Sequence, residues 1–296
     1  MRPSSLLADA ARRLGDAGVE SPRVDAELLL AHVVGVSRGR LLTLHDVSGP
    51  DADRFGQLVD QRADRVPLQH LTGRAAFRFL ELAVGPGVFV PRPETELLTG
   101  WVLGRLTGLD GPIVVDLGSG SGAIALSIAH EHPGARVTAV ERDPGAIAWT
   151  RHNALARAAA GDTPVGVVAG DMTDPGLLPE LDGRLAVVVS NPPYVPDDAV
   201  VPREVADHDP PLALWGGPDG LDVVRGMLTV AARLLHPGGW LGIEHADQQG
   251  TALPAVVRAH GGFTDVADHP DLAGRPRFTT ARRAPDDRLA SRARHL

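Results

Sequence analysis

The sequence predicts an α/β protein, a doubly wound sheet preceded by a small all-helical segment. Three observations lead there. From Ile113 onward, short apolar runs rich in Val and Ile alternate with stretches whose Ala, Leu and Ile recur at helical spacing. Within that region Val114-Val115-Asp116-Leu117-Gly118-Ser119-Gly120-Ser121-Gly122-Ala123 reads as strand, glycine-rich turn and helix start. Upstream, as far as Thr72, the chain shows helical spacing and no glycine-rich loop.

Taken in order, Leu6, Leu7, Ala10 and Leu14 recur at helical spacing. Ser21-Pro22 followed by Asp25 and Glu27 predicts a helix start: a cap, a proline at the first position, then acids in the first turn. Asp51 or Asp53 is expected to open a further helix through Val59 and Ala63. From Ala75 to Val90 the pattern becomes β-like (Phe77, Phe79, Leu82, Val84, Val88, Val90), and Gly85-Pro86-Gly87 reads as the turn of a hairpin. Pro93 then opens a helix carrying Glu94 and Glu96. The expected sheet strands are Ile113–Leu117, Arg136–Val140, Val165–Ala169, Leu185–Ser190, Trp240–Glu244, Phe263–Ala267 and Arg277–Ala281. The expected organisation is a helical recognition domain over 1–74, a hairpin linker over 75–90, a catalytic α/β domain over 91–283 and a flexible polar tail over 284–296.

The chain has 296 residues, 43% of them hydrophobic, which is ordinary for a globular protein. Its net charge of -8 argues against gripping nucleic acid as a main task. All 29 basic residues are arginine; with abundant Ala, Gly and Pro this reads as GC-biased codon usage. With no cysteine, disulfides, thiol catalysis and Cys-zinc sites are excluded. The 12 histidines are scattered without a metal-ligand spacing, so no metal is expected. The N-terminus lacks an apolar signal core, and the longest apolar stretch, Leu28 to Val36, is interrupted by His32 and too short to span a bilayer. A soluble, cytoplasmic protein is expected.

Two motifs carry chemistry. The first is Asn191-Pro192-Pro193-Tyr194, directly after the apolar run Leu185–Ser190. The run reads as a buried strand of a parallel sheet, and two prolines stop it and stiffen its exit. Ligands of open α/β sheets bind beyond the carboxyl ends of the strands. There an Asn side-chain oxygen and the Pro192 carbonyl can each accept one N–H of a planar –NH2 group, while the Tyr194 ring covers its flat face. The second is the glycine loop, with Glu141 about 20 residues on, where an acid can accept both hydroxyls of a ribose. Alone, this loop fits either a nicotinamide dinucleotide or S-adenosylmethionine. Asp116 suits a cationic methionine moiety better than a pyrophosphate, and Asn191–Tyr194 has no role in hydride transfer. Asp171-Met172, after the third strand, is where adenine could be held, the acid accepting from its exocyclic amine and Met172 packing on the ring; a plain turn residue is the alternative for Asp171.

With these residues in hand, the chain closely resembles the PrmC/HemK family, the N5-glutamine methyltransferases of class I peptide release factors. The resemblance runs through Ser21–Leu30, Val66–Gly73, Phe89-Val90-Pro91-Arg92-Pro93-Glu94-Thr95-Glu96, the glycine loop, Glu141, Asn191–Tyr194, Leu214–Leu221, Glu244–Gln248 and Asp271–Arg277. It implies a Rossmann-like class I S-adenosylmethionine-dependent methyltransferase domain with a seven-stranded, mostly parallel sheet, a small N-terminal helical domain and a linking β-hairpin. It implies catalysis by Asn191, Pro192 and Tyr194. Cofactor binding is expected at Asp116, Gly118, Ser119, Gly120, Ser121, Gly122, Glu141, Asp171, Met172 and Asn191. Substrate binding is expected at Asn191, Pro192, Pro193, Tyr194, Arg92 and Phe89. For Arg92 a salt bridge to Glu94 or Glu96 is the plain alternative, and for Phe89 a core role.

The implied partner is a release factor, met by a monomer with no stable nucleic-acid binding and no membrane. Two departures stand out: Met172 where the family usually has an aromatic, and Asp209-Pro210 where it often has Glu-Pro. The competing functions are amino-methylation of a base in DNA or RNA, and a non-catalytic cofactor-binding module. The second fits poorly with an intact Asn191–Tyr194 set.

Overall fold

The structure is a computed structural model and describes residues 1–285. It divides into two compact units: Met1–Arg74 with Val84–Pro86 and Val201–Asp209, and Ala75–Ala83 with Gly87–Val200 and the chain from Pro210 on. Among the described residues no helix is long and apolar enough to cross a membrane.

The first unit is built on the helices Pro3–Asp16, Pro22–Val34 and Gly49–Ala63. Leu7, Leu14, Leu29, Leu30, Phe55, Leu58 and Val59 close its core. Pro22 sits in the first turn as expected, but Ser21 makes no side-chain cap. The third helix starts before Asp51: Ser48 caps it, accepting from the Asp51 N–H at 3.2 Å. Arg62 is buried between two carboxylates, donating from Nε to Asp25 (2.7 Å) and from Nη1 to Glu204 (2.8 Å). This pairing explains why Val201–Asp209, whose Glu204 is 142 residues from Arg62, groups with the helical unit and not with the α/β unit around it in sequence.

In the second unit β1 (Arg74–Phe77) and β2 (Leu80–Ala83) form a hairpin. Its turn is Arg78-Phe79, not the expected Gly85–Gly87. Arg78 adopts φ +51°, unusual for a residue with a side chain. The conformation is held because Glu96 accepts its N–H at 2.9 Å and Glu131 takes its guanidinium in a two-pronged pair (2.5 and 2.7 Å).

The sheet strands are β3 (Ile113–Leu117), β4 (Arg136–Glu141), β5 (Gly166–Ala169), β6 (Leu185–Ser190), β7 (Leu235–Glu244), β8 (Phe263–Pro270) and β9 (Pro276–Arg283). Their order is β5-β4-β3-β6-β7-β9-β8, parallel except for β9, which is antiparallel to both neighbours. β3 and β6 are buried along their whole length, as continuous apolar runs require. Side chains alternate between two cores. Val115, Leu117, Val188, Leu241 and Ile243 meet the helices Asp222–Leu234 and Ala252–His260. Val114, Val187 and Val189 meet the helices Thr95–Leu106 and Ala123–Glu131. The helix expected from Pro93 starts at Thr95. Ala284, placed by the sequence at the start of a flexible tail, is 1% exposed and donates its N–H to the Gly262 carbonyl. The rest of that expected tail, 286–296, lies outside the described residues.

Removing Arg62 would leave two carboxylates, one of them buried, without their cation. Arg62→Ala is expected to destabilise the helical unit by about 3–5 kcal/mol, read as a fall in the urea midpoint; an unchanged midpoint would refute the weight given to this ion cluster.

Candidate active site

The strand order reverses between β3 and β6, the place where open α/β sheets bind ligands. Register sets Leu117 opposite Ser190, and Ser190 Oγ donates to the Leu117 carbonyl at 2.6 Å. The residues that follow, Gly118 on one strand and Asn191 on the other, therefore emerge side by side.

The glycine loop leaves β3 with Gly118, Gly120 and Gly122 all at positive φ (78°, 56° and 86°). At Gly118 the positive φ strains any residue with a Cβ, and a Cβ there would lie 2.6 Å from Met172 Cε, so the Met172 side chain would have to move aside. The loop is tied to β4: Gly118 and Ser119 donate N–H to the Val140 carbonyl, and Gly120 donates to Glu141 Oε2 at 2.9 Å. Glu141 Oε1 takes the N–H groups of Arg142 and Asp143. The side chains of Ser119 and Ser121 are buried. Two residues the sequence reading overlooked, both on the helix Pro144–Ala159, hold the loop from behind. Thr150 Oγ1 donates to the Gly120 carbonyl (2.6 Å), and Asn153 Nδ2 donates to the Ser121 carbonyl (2.9 Å).

Strand alternation turns Asp116 toward the helix Ala123–Glu131, whose Ala125 N–H donates to Oδ2 at 3.2 Å. Asp116 is 1% exposed, and among the described residues Oδ1 has no partner. Burial, with Glu141 nearby, pushes this carboxyl up to about 7. Asp171, after β5, behaves oppositely. Burial pushes it up, but hydrogen bonds from Thr173 N–H (2.8 Å) and Oγ1 (2.7 Å) and from Arg142 (2.9 Å) outweigh this and hold it below the ordinary carboxylate value. Its turn role and its candidate ligand role thus coexist in one side chain.

At the exit of β6, Asn191 Nδ2 donates to Thr95 Oγ1 at 3.2 Å. Among the described residues nothing donates to the Pro192 carbonyl. The backbone beyond is clamped. Gln249 Nε2 donates to the Tyr194 carbonyl (3.0 Å), and Val195 exchanges backbone hydrogen bonds with Leu214 and Gly216. A Cβ on Gly216 would lie 2.6 Å from the Pro193 carbonyl, and one on Gly220 would overlap the Tyr194 carbonyl. Burial pushes the Tyr194 hydroxyl above its ordinary value, so it stays protonated; the charges of Glu244 and Glu94 add to this and those of Arg277 and Arg92 oppose it. Arg92 lies over the Phe89 ring, 4.8 Å from its centroid. Glu96, one of the two acids named as alternative partners of Arg92, accepts the Arg78 N–H.

The profile of the PrmC N-terminal domain matches residues 5–73, and that of the methyltransferase small domain matches residues 80–207. A release factor glutamine methyltransferase of Streptomyces coelicolor is 50% identical over 285 residues, covering 94% of this chain and 97% of its own. The chain belongs to the release factor glutamine methyltransferase family. Enzymes of that name from Mycolicibacterium smegmatis and Mycobacterium tuberculosis are 51% and 45% identical, each over 93% of this chain and covering 95% and 89% of their own. Among solved structures, the T. thermophilus 16S rRNA N2 G1207 methyltransferase in complex with AdoMet and guanosine shares the fold. That likeness has a TM-score of 0.50 at 23% identity, covering 71% of this chain and 49% of that one. The α/β unit is a Rossmann-like class I methyltransferase domain.

The structure thus gives work to segments that carried the family resemblance but had no assigned role. Gly216–Gly220, helped by Gln249 one residue beyond the Glu244–Gln248 segment, buttress the Asn191–Tyr194 backbone, and Thr95 orients Asn191. Two expectations follow. Gly220→Ala is expected to push the Tyr194 backbone out of place and lower methyl-transfer kcat by about 100-fold while calorimetry finds cofactor affinity unchanged; full activity would show that the clamp does not matter. Asp116, with its folded pKa raised from 3.8 to about 7, lowers stability progressively as pH rises through that window. Asp116→Asn should therefore raise the Tm at about pH 8 and change it little at about pH 4; melts showing the reverse would contradict the assignment.

Proposed function

We propose that this protein transfers a methyl group from S-adenosylmethionine to the side-chain amide nitrogen of the glutamine in the Gly-Gly-Gln motif of class I peptide release factors. The observation that carries the reading is the Asn191–Tyr194 set. Thr95 occupies the Asn191 Nδ2, so Oδ1 remains as an acceptor beside the Pro192 carbonyl. Two acceptors suit the two N–H bonds of one –NH2 group.

The residues at the ends of β3, β4 and β5 fit the cofactor. Asp116 Oδ1 is a buried acceptor without a partner, which a cationic amino-acid group would complement. Gly118, Ser119, Gly120, Ser121 and Gly122 form the backbone cradle, Glu141 takes the ribose, and Asp171 with Met172 holds the adenine. S-adenosylmethionine supplies a methyl group made electrophilic by its sulfonium.

What the chain itself must do follows from the weakness of an amide nitrogen as a nucleophile. Its lone pair is delocalised into the carbonyl. Asn191 Oδ1 and the Pro192 carbonyl orient the –NH2 and stabilise the positive charge that grows on nitrogen as it attacks. This is positioning with preorganised electrostatics. No general base is required, because the methylated nitrogen is acidic before it loses its proton. Tyr194, kept protonated by burial, packs on the amide face. Phe89 and Arg92 line the approach. The helical unit around Met1–Arg74 recognises the release factor, so a short Gly-Gly-Gln peptide should be a poor substrate. A translation factor as substrate implies work in the cytoplasm, and the acidic chain fits a protein substrate better than a nucleic acid.

The test is methylation of purified release factor, read by mass spectrometry of its Gly-Gly-Gln peptide. One added methyl on that glutamine is expected, with Asn191→Ala lowering the rate by about 100-fold or more. A chain that binds the cofactor yet leaves release factor unmodified would overturn the reading.

A further inference from the structure

Glu244, the last residue of β7, has no part in the mechanism above. It is 1% exposed. Leu241 and Ile243 face one core, so Glu244 faces the other, toward the first turn of the helix Thr95–Leu106. The helix lies close because Gly242 has no side chain: a Cβ there would sit 2.8 Å from Leu98 Cδ1. Register pairs Ser190 with Ile243, which brings Asn191 beside Glu244. Thr95 and Asn191 both stabilise the charged form of the Glu244 carboxyl, while its Oε2 has no partner among the described residues.

The direction of the contacts follows from proton counting. A carboxylate only accepts. Among the described residues Thr95 Oγ1 donates no other hydrogen bond, so its single hydroxyl proton is available to the adjoining Glu244 carboxylate. Thr95 Oγ1 has only lone pairs left for Asn191, which must turn its –NH2 inward, to Thr95 at 3.2 Å. Its Oδ1 then faces outward. A half-turn of the amide would exchange O and N at almost the same shape and oppose an N–H to the substrate –NH2.

We propose that Glu244, acting through Thr95, is the positioning residue that fixes the Asn191 amide with Oδ1 toward the substrate. This rests on the role given to Asn191 under Proposed function. A carboxylate fixes the direction; a protonated acid or an amide can donate to Thr95 and does not. Facing Glu244 are Thr95 and Glu94 from the helix start, Asn191 and Tyr194 from the β6 exit, and Arg277 from β9. His245 is hydrogen-bonded to Asp268 on β8. Burial pushes the Glu244 carboxyl up to about 7 despite Thr95, Arg277 and Asn191, which pull it down. Loss of the charge below neutrality should therefore loosen the amide within the working range.

The experiment measures methylation of full-length release factor across pH, with cofactor binding by calorimetry and Tm alongside. Glu244→Gln is expected to lower kcat by about 10–100-fold, leave KM for release factor and cofactor affinity unchanged, and abolish the wild-type decline in kcat below about pH 7. Its Tm should rise above that pH, because Glu244 loses stability between 4.5 and about 7 as pH rises; a merely structural residue would lose Tm. Thr95→Val should fall like Glu244→Gln, and Thr95→Ser, which keeps the hydroxyl, should recover most of the rate. Should Glu244→Gln not fold, the Thr95 pair decides alone. Wild-type kcat and pH profile in both Glu244→Gln and Thr95→Val would overturn the inference while a crippled Asn191→Ala left the proposed function standing. Indifference of Asn191→Ala as well would sink both.

Discussion

β3 and β6 run parallel in a register that sets Leu117 against Ser190 and closes it with a side-chain bond to the Leu117 carbonyl. Everything that can do chemistry here depends on this pairing. The glycine loop continues β3 and the Asn191–Tyr194 segment continues β6, so the proposed methyl-donor site and the proposed amide site are neighbours by register. The constraint is rigid because both strands are buried on two faces, between helices that contribute Leu98, Val102 and Ile128 on one side and Val224, Met227 and Leu228 on the other. A slip of one residue would exchange the side chains of the two cores and part the loop that follows β3 from the segment that follows β6.

Around this pairing the protein keeps two buried carboxylates that do nothing for stability. Asp116 on β3 and Glu244 on β7 each have an oxygen without a partner, and burial raises both to about 7. Each lies at the carboxyl end of its strand, one under the glycine loop and one behind Asn191. Unpaired buried charge is among the costliest features a core can hold. Its placement on both flanks of the site, and the pairing of Arg62 elsewhere, fit a chain that tolerates strain where ligand groups are to be recognised and satisfies its charges where only structure is at stake.

Much of the fold and site was legible in advance. The apolar runs of β3 and β6, the three glycines, Glu141 and the Pro-Pro stop are local signals whose physics does not depend on distant partners. The misreadings were of another kind. Gly85-Pro86-Gly87 has ideal turn composition, yet the hairpin turns at Arg78-Phe79, because Glu96 and Glu131, 18 and 53 residues away, hold Arg78 at positive φ. Ser48, not Asp51 or Asp53, caps its helix.

What the sequence by itself determined was the alternation of strand and helix, the glycine loop, the rigid Asn191–Tyr194 exit and the family they belong to. These rest on hydrophobic period, backbone freedom and ring closure, all properties of a few consecutive residues. Only the tertiary structure decided which way Asn191 faces, what holds the Tyr194 backbone, and that Asp116 and Glu244 titrate near neutrality. Those depend on Thr95, Gln249, Gly220 and the depth of burial, contacts made across strands and helices that no local pattern encodes.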